Sequence, residues 1–192
     1  MDESRGVLAY DYVGGMTGML AGDPIWQAEG GQIDGAIELD GASNYLQTGT
    51  VLSPADGPFT VAAWVQGGGP GQVILSSAAG PIWLSLDRET GGLRTNLAPV
   101  EEEPLWSPRR LCPMVPGIIV ALVWDGATRI LYVDGVEVAR RSAGQLERFT
   151  GLHRFGAGPS LESDHFWRGL IDDLRMYNRA LSPEELAELG SF

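Results

Sequence analysis

Phe166-Trp-Arg-Gly-Leu-Ile-Asp-Asp-Leu-Arg-Met-Tyr-Asn-Arg-Ala-Leu-Ser-Pro-Glu-Glu-Leu-Ala-Glu-Leu189 is the stretch on which the fold turns. Its first half reads as a strand. Phe166, Leu170, Asp172, Leu174 and Met176 fall on one parity, and Trp167, Ile171, Asp173, Arg175 and Tyr177 on the other. Side chains alternate faces along a strand, so Asp172 is expected among apolar neighbours. A carboxylate there needs N–H donors, a cation or a proton, because an unpaired buried charge is costly. The second half reads as a short helix. Ser182 caps it, Pro183 suits its first position, Glu185 completes a capping box, and Gly190 ends it.

Outward from this stretch, the remaining chain reads as one all-β domain. It has 192 residues and 44% hydrophobic content, enough for a single substantial core. The 27 glycines and 12 prolines are dispersed between short apolar runs, the pattern of turns between strands. Twenty-five acidic against 13 basic side chains leave a net charge of −12. That balance argues against nucleic acid or anionic lipid as partner. It suits solubility and is compatible with binding cations. The single cysteine, Cys112, excludes an intrachain disulfide. Met1–Gly6 is too short and polar for a signal peptide and is expected outside the folded body. No apolar run approaches the ~20 residues of a membrane span.

Strands are expected over residues 6–12, 33–41, 44–48, 59–65, 72–77, 82–87, 93–98, 118–124, 129–133, 136–139, 153–157 and 166–178, and a short strand with a turn over 19–26. Ile33, Ile37 and Leu39 face one way and Asp34, Glu38 and Asp40 the other. Ile118–Trp124 is apolar on both faces and should be a covered central strand. Asp134-Gly135 is the strongest hairpin signal. Residues 99–116, with Glu101-Glu102-Glu103, Trp106, Arg109-Arg110 and four prolines, read as a long irregular loop.

Four segments in order resemble the laminin-G-like jelly-roll domains of the concanavalin A-like lectin and glucanase superfamily. They are Gly22-Asp-Pro-Ile-Trp26 with Gly35-Ala-Ile-Glu-Leu-Asp-Gly41, Phe59-Thr-Val-Ala-Ala-Trp-Val65, Val120-Ala-Leu-Val-Trp-Asp-Gly126 with Leu131-Tyr-Val-Asp-Gly135, and the closing stretch itself. The resemblance runs from about Leu8 to Leu189. It implies a two-sheet antiparallel β-sandwich with a short C-terminal helix. Two departures stand out: Gly14–Met19 replaces a loop usually rich in Asp, Ser and Asn, and Gly117-Ile118-Ile119 replaces a Trp-His-His.

The resemblance also implies a Ca²⁺ site between an N-terminal segment and the closing strand, here Asp40, the Gly41 carbonyl and Asp172. Ca²⁺ takes six to eight oxygens. Against this, Asp172 could accept backbone N–H bonds and Asp40 could open an Asp-Gly turn. Asp173 is expected to partner Arg175 or a neighbouring strand rather than to act as a ligand. Six tryptophans invite a sugar-stacking reading. Trp64 and Trp124 belong to the core, with Trp26 and Trp167 tending the same way. Trp83, on the parity opposite Ile82, Leu84 and Leu86, and Trp106 are the candidate ligand platforms, the alternative for each being a ring that shields the structure from solvent. No catalytic residues are assigned. A retaining glycosidase needs two carboxyls about 5 Å apart, and no strand carries the Glu-x-Asp-x-x-Glu of the glucanases. With only His153 and His165, a histidine-rich zinc site is excluded. The resemblance thus implies a recognition module for glycan, outside the cell or in the periplasm. A protein-binding or adhesion module and a divergent glycan hydrolase or lyase are the alternatives.

Overall fold

The computed structural model describes residues 3, 5–11, 13–98, 102–111 and 117–190. Cys112 and Glu101 lie outside the described residues. The elements are β1 (Leu8–Tyr10), β2 (Thr17–Ala21), β3 (Ile25–Gln27), β4 (Ala36–Asp40), β5 (Tyr45–Thr48), β6 (Phe59–Gly67), β7 (Val73–Ser77), β8 (Ile82–Leu86), β9 (Gly92–Thr95), β10 (Leu105–Arg110), β11 (Ile118–Trp124), β12 (Thr128–Val133), β13 (Val136–Ser142), β14 (His153–Phe155), β15 (Arg168–Tyr177) and α1 (Pro183–Leu189). They form two antiparallel sheets. One has eight strands in the order β1-β2-β5-β14-β7-β8-β9-β10; the other has seven, β13-β12-β11-β6-β15-β4-β3. This is the jelly-roll sandwich the sequence predicts.

Alternation builds the layers. On β6, Val61, Ala63 and Val65 point between the sheets, where they meet Leu75, Trp83, Leu93 and Phe155 of the other sheet. Ala62, between them, points outward. There it joins Ala121, Val123, Ile130 and Tyr132 under α1. Seven residues are too few for a helix to stand alone in water. Leu186 and Leu189 hold α1 by packing on this outer face. The predicted capping box is formed: Glu185 N donates to Ser182 Oγ at 3.2 Å, and Ser182 N to Glu185 Oε2 at 2.8 Å.

The lateral edges are stitched across the layers. On one side Arg141 Nη1 donates to the Glu103 carbonyl at 3.2 Å. On the other, Trp26 Nε1 donates to the Gly6 carbonyl at 2.9 Å, so Gly6 touches the folded body. The expected loop over 99–116 contains a strand instead. β10 is the edge of its sheet, where Pro108 lacks no ladder bond it would need, and Arg109 and Arg110 blunt the open edge.

Candidate functional site

The closing strand β15 lies between β6 and β4, so each of its outward side chains has a neighbour on both sides. Leu170 stands directly across from Gln66 on β6 and from Glu38 on β4. Glu38 in turn faces Ile25 on β3, and Gln27 follows two residues on. Helix α1 covers the far part of this sheet and leaves the β3 side open. The result is a groove of about 290 Å³ lined by Gln27, Glu38, Gln66 and Leu170 over the backbone of Gly30, Gly67 and Gly169. Gly169 has φ +142°, and a Cβ there would lie 2.1 Å from the Gln66 carbonyl oxygen, so a side chain would both strain the backbone and collide with the groove floor. Gln27 Nε2 donates to Glu38 Oε2 and orients the carboxylate. Leu170 gives an apolar floor with three polar side chains around it.

Next along the same row is Asp172, 1% exposed. Its Oδ2 accepts from Gln32 N at 3.0 Å and Ile33 N at 3.2 Å. Burial pushes its carboxyl above the usual carboxylate range, and the Ile33 N–H offsets this in part. The loop over residues 28–35 lies on it closely. A Cβ on Gly31 would be 2.4 Å from Asp172 Oδ2 and 2.3 Å from the Gly35 carbonyl oxygen, so only glycine lets that loop settle there. Beyond Asp172 the strand carries one extra residue: Asp172 faces Trp64, and the next pair is Arg175 with Ala62. Asp173, at φ +47°, occupies this bulge, and Arg175 Nε donates to its Oδ1 at 2.6 Å, as the sequence predicts.

The expected metal trio does not converge. Asp40 is across from Arg168, and Ile171 from Ile37, which leaves Asp40 and Asp172 four positions apart along the ladder, about 13 Å. One ion cannot take both. Asp40 Oδ1 accepts from Ala42 N, Ser43 N and Asn44 N at 2.8, 2.9 and 3.1 Å. Burial opposes this, yet those N–H groups outweigh it and hold the Asp40 carboxyl below its ordinary range. Gly41, at φ +76°, completes that turn. Among the described residues, no group of three or more His, Cys, Asp or Glu could hold a metal ion.

The two expected aromatic platforms part company. Trp83 is 0% exposed and lies in the core against Phe59 and His153, its Nε1 donating to Ser77 Oγ at 2.8 Å. The reading from parity fails because β7 and β8 slip register between Leu75 and Ser76. The slip sends Trp83 and Leu84 both inward. Trp106, 40% exposed, is on β10 at the edge of the other sheet, with the Arg141 guanidinium 5.9 Å from its ring centroid. It therefore belongs to the layer opposite the groove. Glu38 was legible as outward-facing on β4, but Gln27 and Gln66 were not, because only the pairing of β3, β4, β15 and β6 brings them together.

Two packed antiparallel sheets with an open polar groove beside a capped terminal helix define a lectin-like β-sandwich domain. Residues 40–187 match the laminin G family of the concanavalin A-like lectin/glucanases superfamily, and the chain belongs to that family. A search of curated protein sequences finds no match. Among solved structures, the chain is similar to domain 4 of AbnA, a GH43 extracellular arabinanase from Geobacillus stearothermophilus, in complex with arabinotriose. The identity is 19% and the TM-score 0.68, over 94% of this chain and 92% of that one. It is also similar to the binding domain of botulinum neurotoxin serotype G, with 17% identity and a TM-score of 0.72 over 95% of this chain and 49% of that one. A third likeness is to Trypanosoma rangeli sialidase in complex with sialic acid, at 14% identity and a TM-score of 0.71 over 98% of this chain and 31% of that one. These identities support a shared fold. No helix of the described residues is long and apolar enough to cross a membrane.

Proposed function

We propose that this domain is a non-catalytic glycan-recognition module acting outside the cell, and that its binding surface is the groove over Leu170. The observation that carries the reading is the convergence of Gln27, Glu38 and Gln66 around an apolar floor in an open, glycine-backed depression. Amide and carboxylate groups suit sugar hydroxyls, which both donate and accept, and Leu170 suits an apolar sugar face. The full-length likeness to an arabinanase domain bound to arabinotriose supports the same reading. A hydrolase would need a second carboxylate facing Glu38. Asp40 shares its row, but its oxygens are committed to the turn at 42–44.

A structural Ca²⁺ remains part of the proposal only at Asp172, with the Gly35 carbonyl beside it; Asp40 and Gly41 would not take part. A glycan array read with wild type and Gln66→Ala tests the groove. Binding by wild type that falls about tenfold or more in the variant, at unchanged melting temperature, is the expected result. Equal binding by both would move the site elsewhere.

One observation favours a second reading, protein binding. Leu8 and Met19 face each other on the β1–β2 hairpin and are exposed, with Tyr10 beside them. Such a patch is a common feature of interaction surfaces. Met19→Glu would abolish capture of a partner protein under that reading and leave saccharide binding untouched.

A further inference from the structure

Resting on the glycan reading, we infer that the groove selects uncharged sugars and rejects sialylated, uronic or sulfated ones. Glu38 is the only ionisable side chain among the groove's lining residues. It sits in the middle of the row, across from Leu170, and Gln27 already donates to one of its oxygens. The remaining lone pairs of that carboxylate can accept protons from sugar hydroxyls in charge-assisted bonds, which are roughly twice as strong as neutral ones. The Gln66 amide, on the other side of Leu170, both donates and accepts, so it matches a hydroxyl in either role.

A sugar carboxylate or sulfate has acceptors only. Against Glu38 it sets lone pair on lone pair and like charge on like charge at close range. The lining offers it no guanidinium in return. Among the described residues, Arg168 is two positions from Leu170 on the same face of β15, pairs across from Asp40, and is not among the groove's lining residues. The chain's net charge of −12 acts in the same direction at longer range. The groove's volume, about 290 Å³, is at the small end of ligand sites. A bound ring therefore lies close to Glu38, and a charged substituent is tolerated only where it points out of the open side into solvent.

The test is calorimetric titration of the whole chain with matched probes: lactose against sialyllactose, and a neutral pentose or hexose trimer against a uronic acid trimer. The neutral member of each pair is expected to bind at least about tenfold tighter. Glu38→Gln, which keeps the shape, should weaken the neutral sugar and bring the pair within about twofold, with the melting temperature unchanged. Added salt should also narrow the gap, since the repulsion is partly exposed. Tighter binding of the acidic member, or a gap that survives Glu38→Gln, would overturn the inference while leaving the glycan reading intact. Failure of every saccharide to bind would overturn the glycan reading, and the inference with it.

Discussion

The guanidinium of Arg129, 0% exposed at one end of β12, is bound by the carboxylate of Glu102: Arg129 Nη2 lies 2.9 Å from Glu102 Oε2, while its Nη1 donates to the Leu97 carbonyl at 2.9 Å. Glu102 Oε1 also accepts from Gly144 N at 3.0 Å. A residue that the sequence places in a long irregular loop thus ties the lead-in of β10 to the other sheet. Removing it leaves a buried cation without its counter-charge, the costly way to break such a pair. Glu102→Ala is expected to cost about 2–4 kcal/mol, discounted from the fully buried case because the Glu102 side chain is partly exposed. Arg129→Met should cost less than Glu102→Ala. Urea unfolding of the two variants checks the order, and the reverse order would show that the pair is not what holds this end.

His153 makes stability depend on pH. Its ring is buried edge-on to Trp83, with Nε2 beside the Leu52 N–H and carbonyl. Burial lowers its pKa from 6.5 to about 4, so the folded protein holds it neutral. Between those values the unfolded chain binds a proton that the folded one does not. Stability is therefore complete above about pH 6.5 and is lost as pH falls toward 4, by about 3 kcal/mol in all. The midpoint of urea unfolding followed from pH 8 to pH 4.5 should show this slope, and His153→Leu should flatten that part of it.

Asp172 contributes with the opposite sign. Its folded pKa is raised by burial, so the stability linked to its proton is present below the ordinary carboxylate range and is lost as pH rises through the raised value. Asp172→Asn keeps an oxygen for the Gln32 and Ile33 N–H groups and removes the buried charge. It is expected to change stability at neutral pH by less than about 1 kcal/mol, whereas Asp172→Ala, which strands both N–H groups, should cost about 2–4 kcal/mol. If the loop at 28–35 takes Ca²⁺, millimolar Ca²⁺ will raise the wild-type melting temperature and not that of Asp172→Asn. An equal response in the two proteins removes Asp172 from any calcium site.

Trp106 separates the two faces. Trp106→Ala loses a partly exposed ring and its contact with Arg141, about 1 kcal/mol. Because it stands on the layer opposite the groove, saccharide affinity should not move. A large loss of affinity in Trp106→Ala with none in Gln66→Ala would transfer the binding surface to the edge at β10.

Local signals proved readable and pairing signals did not. Ser182, Pro183 and Glu185 announce the helix because capping is settled within one turn of chain. Asp134 and Gly135, at φ +49° and +74°, announce the hairpin for the same reason. Trp64 and Trp124 are both buried, as their strong apolar strands imply, but only Trp124 lies between the sheets; Trp64 is covered on the outer face of β6, across from Asp172. Trp83 was misplaced because a register slip between β7 and β8 breaks parity there, and nothing in a single sequence marks the slip. Asp40 and Asp172 were grouped because both flank recognisable motifs, yet their separation depends on which residues of β4 and β15 face each other. β10 was hidden by Pro108, which an edge strand tolerates and a central one would not. The groove combines residues from four strands, so its composition is a property of the sheet and not of any stretch of chain.

The bulge at Asp173 has a consequence for how this domain tolerates change. With one residue more than its partner between Asp172 and Arg175, β15 presents Leu170 and Asp172, then Arg175 and Tyr177, to the same side. Deleting a residue from a regular strand swaps every later side chain to the wrong side, but excising Asp173 would keep each on its present side, at the cost of the Asp173–Arg175 pair. What the extra residue supplies is curvature, so the angle between the groove and the helix-bearing end is tunable by a single codon.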